Sequence, residues 1–198
     1  MTFSDVFAGI LVGGRGTRLG GTDKAALPHP EGGTFLDHLI REVKPKVSRV
    51  VVVGRPGQAV SVAPELLPIH RVSDRRPDQG PLGGLEALLE SAPAPWCLAL
   101  ACDLPGFTAS LADLLVAAGR GGAPAILLTD GVRTHPLPGL YHHDCLRTIR
   151  RRLTEGRRSL IGLFEDVGGQ VVSVPPNLAP GLLNVNDPAD LENAREDR

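Results

Sequence analysis

The densest chemistry in the 198-residue chain lies in one run, Leu11-Val12-Gly13-Gly14-Arg15-Gly16-Thr17-Arg18-Leu19-Gly20-Gly21-Thr22-Asp23-Lys24. Five glycines between Gly13 and Gly21 let backbone come close to a ligand and permit positive-φ turns that aim successive N–H groups at an anion. Arg15, Arg18 and Lys24 add three cations. Polyphosphate binding needs both kinds of donor, so this run is predicted to hold phosphates. Two familiar phosphate loops do not fit. A P-loop requires Gly-Lys followed by Ser or Thr, whereas Lys24 follows Asp23 and precedes Ala25. A dinucleotide fingerprint requires a third glycine where Leu19 stands. Motor-type NTPases and NAD-dependent oxidoreductases are therefore disfavoured.

A second chemical group is Asp103, which follows the apolar run Trp96 to Ala101 and precedes Leu104-Pro105. A carboxylate at a strand's carboxyl end suits a hard cation such as Mg²⁺, which takes one or two protein carboxylates plus phosphate oxygens and water. The competing reading, a helix N-cap, is already served by Thr108 or Ser110. Asp74 closes Val72-Ser73 and, on its own, reads as a turn former. Gly80-Pro81-Leu82-Gly83-Gly84 opens a helix whose N-terminal N–H groups could face an anion or a base edge, or simply pack closely. Arg147, Arg150, Arg151, Arg152, Arg157 and Arg158 form a basic cluster; such a cluster is usually a solvated face, although Arg suits phosphate through its planar fork. No Ser-His-Asp arrangement or catalytic cysteine is supported, which favours direct in-line displacement over a covalent enzyme intermediate.

These groups need a scaffold. Short apolar runs bounded by turn residues predict strands at Val6 to Val12, Val50 to Val53, Ile69 to Val72, Trp96 to Ala101, Ala125 to Leu128 and Val171 to Val174. Helical spacing predicts helices around Phe35–Val43 with Thr34 as N-cap, Leu82–Leu89 with Pro81 in the first turn, Leu111–Leu115, Leu146–Leu153, and Pro188–Arg195 with Asp187 as N-cap. Pro175 to Pro180 reads as a surface loop before a short extended segment, Leu182 to Val185. Strand and helix alternate through residue 128, which predicts a three-layer αβα fold, doubly wound on a mostly parallel sheet. Ligands on such sheets bind beyond the carboxyl ends of the strands, where the glycine run, Asp74 and Asp103 all fall.

Composition narrows the partners. Lys plus Arg is 21 against 22 Asp plus Glu, a net charge of −1, which does not suit a bulk nucleic-acid or membrane-surface binder. Aromatics make up only 4%, too few for a base-stacking platform. The three cysteines, Cys97, Cys102 and Cys145, lack disulfide or zinc spacing; Cys97 and Cys102 read as buried small hydrophobes in a reducing cytoplasm. No signal peptide is visible, and the longest apolar run is far short of the ~18 residues that span a bilayer. One domain over residues 1–198 is expected.

The run LVGGRGTRLGGTDKAAL resembles the signature of the molybdenum cofactor guanylyltransferases and, more broadly, of the nucleotide-diphospho-sugar-transferase-like pyrophosphorylases. SDRRPDQGPLGGLEALL, LALACDLPG and LLNVNDPADLENA resemble three further family segments, so the likeness runs from about residue 7 to residue 194. It implies transfer of GMP from GTP to the terminal phosphate of molybdopterin or molybdenum-molybdopterin, with release of pyrophosphate and Mg²⁺ as cofactor. By the same resemblance Arg18, Lys24 and Asp103 are catalytic. Leu11, Val12, Gly13, Gly14, Arg15, Gly16, Lys24, Asp74, Gly80, Gly83 and Asp103 line the nucleotide, and Asp103 and Asn186 hold the metal. His135, Arg157, Arg158 and Asn184 lie toward the acceptor, giving a nucleotide half at about 1–105 and an acceptor half at about 106–198. Proteins that deliver molybdopterin or mature molybdoenzymes are implied partners. The chain departs from the family at Val53, where an asparagine that touches the nucleotide is common; backbone or Arg55 would serve instead. Two alternatives stay open: a relative using another base or acceptor (a molybdopterin cytidylyltransferase, or a phosphosugar or phospholactate nucleotidyltransferase), and a non-catalytic guanine-nucleotide regulator.

Overall fold

The computed structural model describes residues 2–12, 24–76, 78–91 and 94–185. Seven strands, β1 (Val6–Leu11), β2 (Val50–Gly54), β3 (His70–Ser73), β4 (Trp96–Ala101), β5 (Ala125–Thr129), β6 (Thr134–His142) and β7 (Gln170–Ser173), form one sheet in the order β3-β2-β1-β4-β6-β5-β7. Every neighbouring pair is parallel except those made by β6, which runs antiparallel to β4 and β5. The helices are α1 (Phe35–Val43), α2 (Gly80–Glu90), α3 (Ala109–Ala118), α4 (Cys145–Thr154) and α5 (Leu160–Val167).

The layers follow from strand alternation. Val6, Ala8 and Ile10 share one buried cluster with α1 and α3, through Leu36, Leu39, Ile40, Leu111 and Leu115. Phe7, Val51, Val53, Cys97 and Ala99 face the other way and pack with α2, α4 and α5, through Leu82, Leu85, Leu88, Ile149 and Leu163. This is the expected αβα sandwich. Thr34 caps α1 as predicted, its side chain accepting from the Asp37 N–H while Asp37 accepts from the Thr34 N–H. Pro81 lies in the first turn of α2 as predicted.

One local expectation is corrected, and three elements add to what was expected. Thr108 occupies the N-cap position of α3 but makes no cap bond; Glu42 from α1 accepts the Ala109 N–H at 2.6 Å instead. Strand β6 was hidden by Pro136 and Pro138, residues that normally sit at sheet edges or bulges. The structure accommodates them with a register shift: Leu127 pairs with Gly139 and Leu128 with His135, so residues 136–138 leave the ladder. Helix α5 is short and opens on a Ser159 cap that accepts from the Gly162 N–H. Finally, the exposed stretch expected at Pro175 to Pro180 winds into a 3₁₀ helix, Pro176–Leu182, that buries Leu182, and Leu183 after it is extended as expected. Fixed proline φ values are compatible with that tighter helix.

Candidate active site

The chain runs from β1 outward to β2 and β3, then returns to place β4 on the opposite side of β1. The reversal lies between β1 and β4, and open α/β sheets bind ligands in the crevice beyond the strand ends at such a point. Register puts Leu11 level with both Val53 and Ala101, so the residues that follow β1, β2 and β4 emerge at one edge. Val12 donates its N–H to the Val53 carbonyl, and Cys102 donates to the Leu11 carbonyl.

Just beyond that edge Lys24 and Asp103 meet. The Lys24 ammonium donates to Asp103 Oδ2 at 2.8 Å and to the Val185 carbonyl at 3.0 Å. Asn184 Nδ2 donates to Asp103 Oδ1 at 2.8 Å, and the Val185 N–H donates to the Asp103 carbonyl. The Lys24 and Asp103 side chains are only 19% and 14% exposed. Asp103 is therefore not the freely exposed strand-end carboxylate that its position in the sequence suggests. It fastens the Asn184-Val185 segment to the end of β4.

The donor set fits a hard cation. A carboxylate oxygen and a backbone carbonyl already converge on one positive charge, the Lys24 ammonium, and an amide side chain steadies the second carboxylate oxygen. Oxygen donors of these kinds are what Mg²⁺ takes. Asn186, expected as the second metal residue, lies outside the described residues, as do Gly13, Gly14, Arg15, Gly16, Arg18 and the helix expected at Pro188–Arg195.

On the β2–β3 side, Asp74 follows β3, and its Oδ1 accepts the Arg76 N–H at 2.8 Å. Burial, then the nearby Asp78 charge, pushes its carboxyl above the usual range. Gly83 lies against this loop: a Cβ there would come 3.0 Å from the Gln79 Cβ and 3.2 Å from the Arg76 carbonyl. A Cβ on Gly84 would come 2.7 Å from Leu11 Cδ2. These small residues let α2 press onto the end of β1. Gly80, with φ +66°, turns the chain into the helix.

Val53, where the family often has a polar residue, is buried in the core. The polar side chain at that strand end is instead Gln58, whose Nε2 donates to the Val12 carbonyl and whose Oε1 accepts the Arg55 N–H. Gln58 belongs to no motif and carries no signal in the sequence.

The acceptor-side residues divide. His135 begins β6 at the same sheet edge, beside β4, but is buried and bonds Asp130 Oδ2 through Nε2 at 2.9 Å. Asp130 also accepts the Val132 and Arg133 N–H groups; these bonds, with the one from His135, hold its carboxyl well below the usual range. Arg157 pairs with Glu155 and Asp166. Arg158 instead crosses to Gln79 at the start of α2, donating from Nε at 2.7 Å. Arg158, expected toward the acceptor, thus bonds the start of the helix that was expected to line the nucleotide.

Residues 8–168 match the family model described as the MobA-like NTP transferase domain. This chain belongs to that family. Members similar to it include a probable molybdenum cofactor guanylyltransferase from Rhodopirellula baltica, 35% identical over 92% of this chain and 88% of the relative. Another, a molybdenum cofactor guanylyltransferase from Serratia proteamaculans, is 36% identical over 81% of this chain and 79% of the relative. Among solved structures, molybdopterin-guanine dinucleotide biosynthesis protein A from Archaeoglobus fulgidus superposes with a TM-score of 0.77 at 23% identity, covering 96% of this chain and 97% of that one. The 2-C-methyl-D-erythritol 4-phosphate cytidylyltransferase from Thermus thermophilus shares the fold with a TM-score of 0.69 at 19% identity, over 98% and 97% of the two chains. As a member of the MobA-like family, the chain is a nucleotidyltransferase. Among the described residues no helix is long and apolar enough to cross a membrane.

Proposed function

We propose that this nucleotidyltransferase transfers GMP from GTP to the terminal phosphate of molybdopterin, or of its molybdenum-loaded form, and releases pyrophosphate. The observation that carries the reading is the Lys24–Asp103 pair at the sheet's switch point, immediately after the glycine-rich run. The names carried by the relatives similar to this chain support the choice of base and acceptor. A phosphate oxygen of the acceptor attacks the α-phosphorus of GTP, and the bond from that phosphorus to the bridging oxygen of the β-phosphate breaks. The attacking oxygen is already anionic, so no strong general base is required. Catalysis then rests on positioning and on charge stabilisation.

In this reading Lys24 and Arg18 hold the triphosphate, and the N–H groups of the glycine run receive the departing pyrophosphate. Asp103, with Asn186, would hold Mg²⁺, which supplies charge neutralisation to the phosphates when bound. Asp74, Gly80 and Gly83 face the nucleoside. His135 and Arg158 face the acceptor, with Asn184 acting through Asp103. Residues 1–105 supply the nucleotide side and residues 106–198 the acceptor side. We place the protein in the cytoplasm, since its three cysteines are buried and lack disulfide spacing, which suits a reducing compartment.

The test is a panel of GTP, CTP and ATP with molybdopterin and Mg²⁺, read by pyrophosphate release. Preference for GTP is expected. Equal turnover of CTP would defeat the guanylyl assignment and leave nucleotidyl transfer standing.

A further inference from the structure

Two histidines with no part in the chemistry above are buried together beside the candidate site. His29 and His38 are 5% and 6% exposed, and their rings stack with centroids 4.0 Å apart and planes 9° from parallel. His29 Nε2 bonds the Pro105 carbonyl at 3.0 Å, and His38 Nε2 bonds the Phe107 carbonyl at 2.8 Å. A carbonyl can only accept, so both Nε2 atoms carry the proton. His29 Nδ1 accepts the Glu31 N–H at 3.2 Å, which fixes His29 as the neutral Nε2–H form.

With Glu31, these rings bring three ligand-type atoms within 4.8 Å of one another. The geometry opposes metal binding there. One cation cannot lie in the planes of two nearly parallel stacked rings, and His29 Nδ1 already has its donor.

The arrangement instead joins two segments. Pro105 and Phe107 belong to the turn that begins at Asp103. His29 lies five residues after Lys24, on a short hydrogen-bonded path: the Leu27 N–H donates to the Lys24 carbonyl, and Pro28 bridges Thr34. On its other side the Asp103 turn meets the chain that leads to Asn184. A Cβ on Gly106 would come 3.0 Å from the Pro180 carbonyl, and one on Gly181 would come 2.8 Å from the Gly106 carbonyl.

We propose that His29 and His38 are positioning residues, a stacked imidazole clasp that locks the Asp103 turn to the Lys24 segment and so sets the Lys24–Asp103 geometry for transfer. The proposal rests on the reading of Lys24 and Asp103 as the reacting-site pair. Small misplacements of such groups cost about tenfold to a hundredfold in rate.

The test compares His29→Ala/His38→Ala, His29→Gln/His38→Gln and Asp103→Asn with the parent enzyme. It reads kcat, the KM for GTP, the melting temperature and the ¹³C resonance of the Asp103 carboxyl in aspartate-labelled protein. Glutamine keeps an N–H donor near the Nε2 position. In folded double-alanine protein kcat should fall about tenfold or more with the GTP KM within about twofold, and the Asp103 resonance should move. The double-glutamine variant should recover most of kcat and the parent resonance. Parent kcat and an unmoved Asp103 resonance in folded double-alanine protein, with Asp103→Asn inactive, would show that the imidazoles only pack. Parent activity in Asp103→Asn would instead overturn the underlying reading of the site. If the double-alanine variant does not fold, single His29→Ala is judged by the same kcat and resonance criteria.

Discussion

At the ends of β1 and β4 one lysine and one carboxylate meet across 79 residues of sequence, steadied by an amide and a carbonyl from a third segment. On α4 and α5 the charges are more numerous and, Arg150 apart, more local. Arg151, Arg152 and Arg157 converge on Asp166, at most 15 residues away, while Arg150 reaches Glu90 and Glu86 of α2. Arg152 is buried, and its guanidinium fills the space a side chain at position 162 would need. The second region looks like the stronger phosphate binder if only cations are counted. Its acids have already claimed most of that charge, and they tie neighbouring helices together. The first has fewer charges, held by distant parts of the chain at the sheet's open edge, where the proposed function has a ligand's phosphates enter the pairing. Location distinguishes the two, rather than the number of charges.

The sharpest way to break this comparison is Asp103→Asn. The substitution keeps size and one hydrogen-bonding oxygen but removes the charge that opposes Lys24. We expect kcat to fall by about a hundredfold or more, as when a stabiliser of the transition state is lost. Because Asp103 also fastens Asn184 and Val185, some loss of melting temperature should accompany it. Activity at the parent rate with an unchanged Mg²⁺ requirement would remove Asp103 from the metal site.

Lys24→Ala comes next. A charge-assisted hydrogen bond is worth about 1.5–3 kcal/mol, or roughly tenfold to a hundredfold in the handling of GTP. Steady-state kinetics with GTP as the varied substrate read it. Unchanged kcat and KM would make Lys24 a structural counter-ion of Asp103 and nothing more.

The sandwich is legible in the sequence because buried parallel strands write continuous apolar runs, and of the candidate site the meeting of Lys24 with Asp103 agrees with their expected places at one sheet edge. Val50–Val53 and Trp96–Ala101 need no tertiary information to be read as strands. Strand β6 is illegible because Pro136 and Pro138 violate strand chemistry and are excused only by a bulge that the partner β5 creates. The roles of Asn184, Gln58, His29 and His38 are illegible for a different reason. Each acts through backbone groups or side chains dozens of residues away, and no local pattern encodes those partners. The arginine cluster is read only in part: its charge is evident, but Asp166 and Glu86 become its counter-ions only once α2, α4 and α5 pack.

Arg158 and Arg157 sharpen the comparison from the other side. Arg157 pairs with Glu155 and Asp166, whereas Arg158 bonds a neutral amide, Gln79, beside the start of α2. Arg158→Ala should weaken acceptor use several-fold, with a smaller rise in the KM for GTP. Arg157→Ala should leave both substrates within about twofold and act mainly on melting temperature, since exposed ion pairs are worth at most about 1 kcal/mol. Isothermal binding of GTP together with acceptor-varied kinetics separates them. A larger acceptor defect in Arg157→Ala would mean that Asp166 releases its arginine when substrate binds.

The smallest effect lies in pH and again contrasts the two regions. The Asp166 carboxyl is held below its usual range by hydrogen bonding from Arg152 first and by the Arg157 and Arg151 charges, despite burial that raises it. A lowered folded value stabilises the protein above the unfolded value of about 4, and that contribution is lost as pH falls through the folded value. Asp74 has the opposite sign, because burial and the Asp78 charge raise its carboxyl. The folded state then binds its proton more readily than the unfolded state, so stability falls as pH rises from the unfolded value through the folded one and stays reduced at neutrality. Asp74→Asn keeps an oxygen to accept the Arg76 N–H and removes the partly buried charge. Its melting temperature should exceed that of the parent at pH 7, and the gap should close as pH drops toward 4. Asp166→Asn should lower the melting temperature at pH 7, with its gap narrowing only at still lower pH. If Asp74 faces the nucleoside, the KM for GTP should rise in the same variant that gains stability, because a group placed for a ligand is held at a cost to the fold. Melting curves from pH 4 to 8 beside GTP kinetics read both. A gain in stability with an unchanged KM would make Asp74 a turn residue with no ligand to serve.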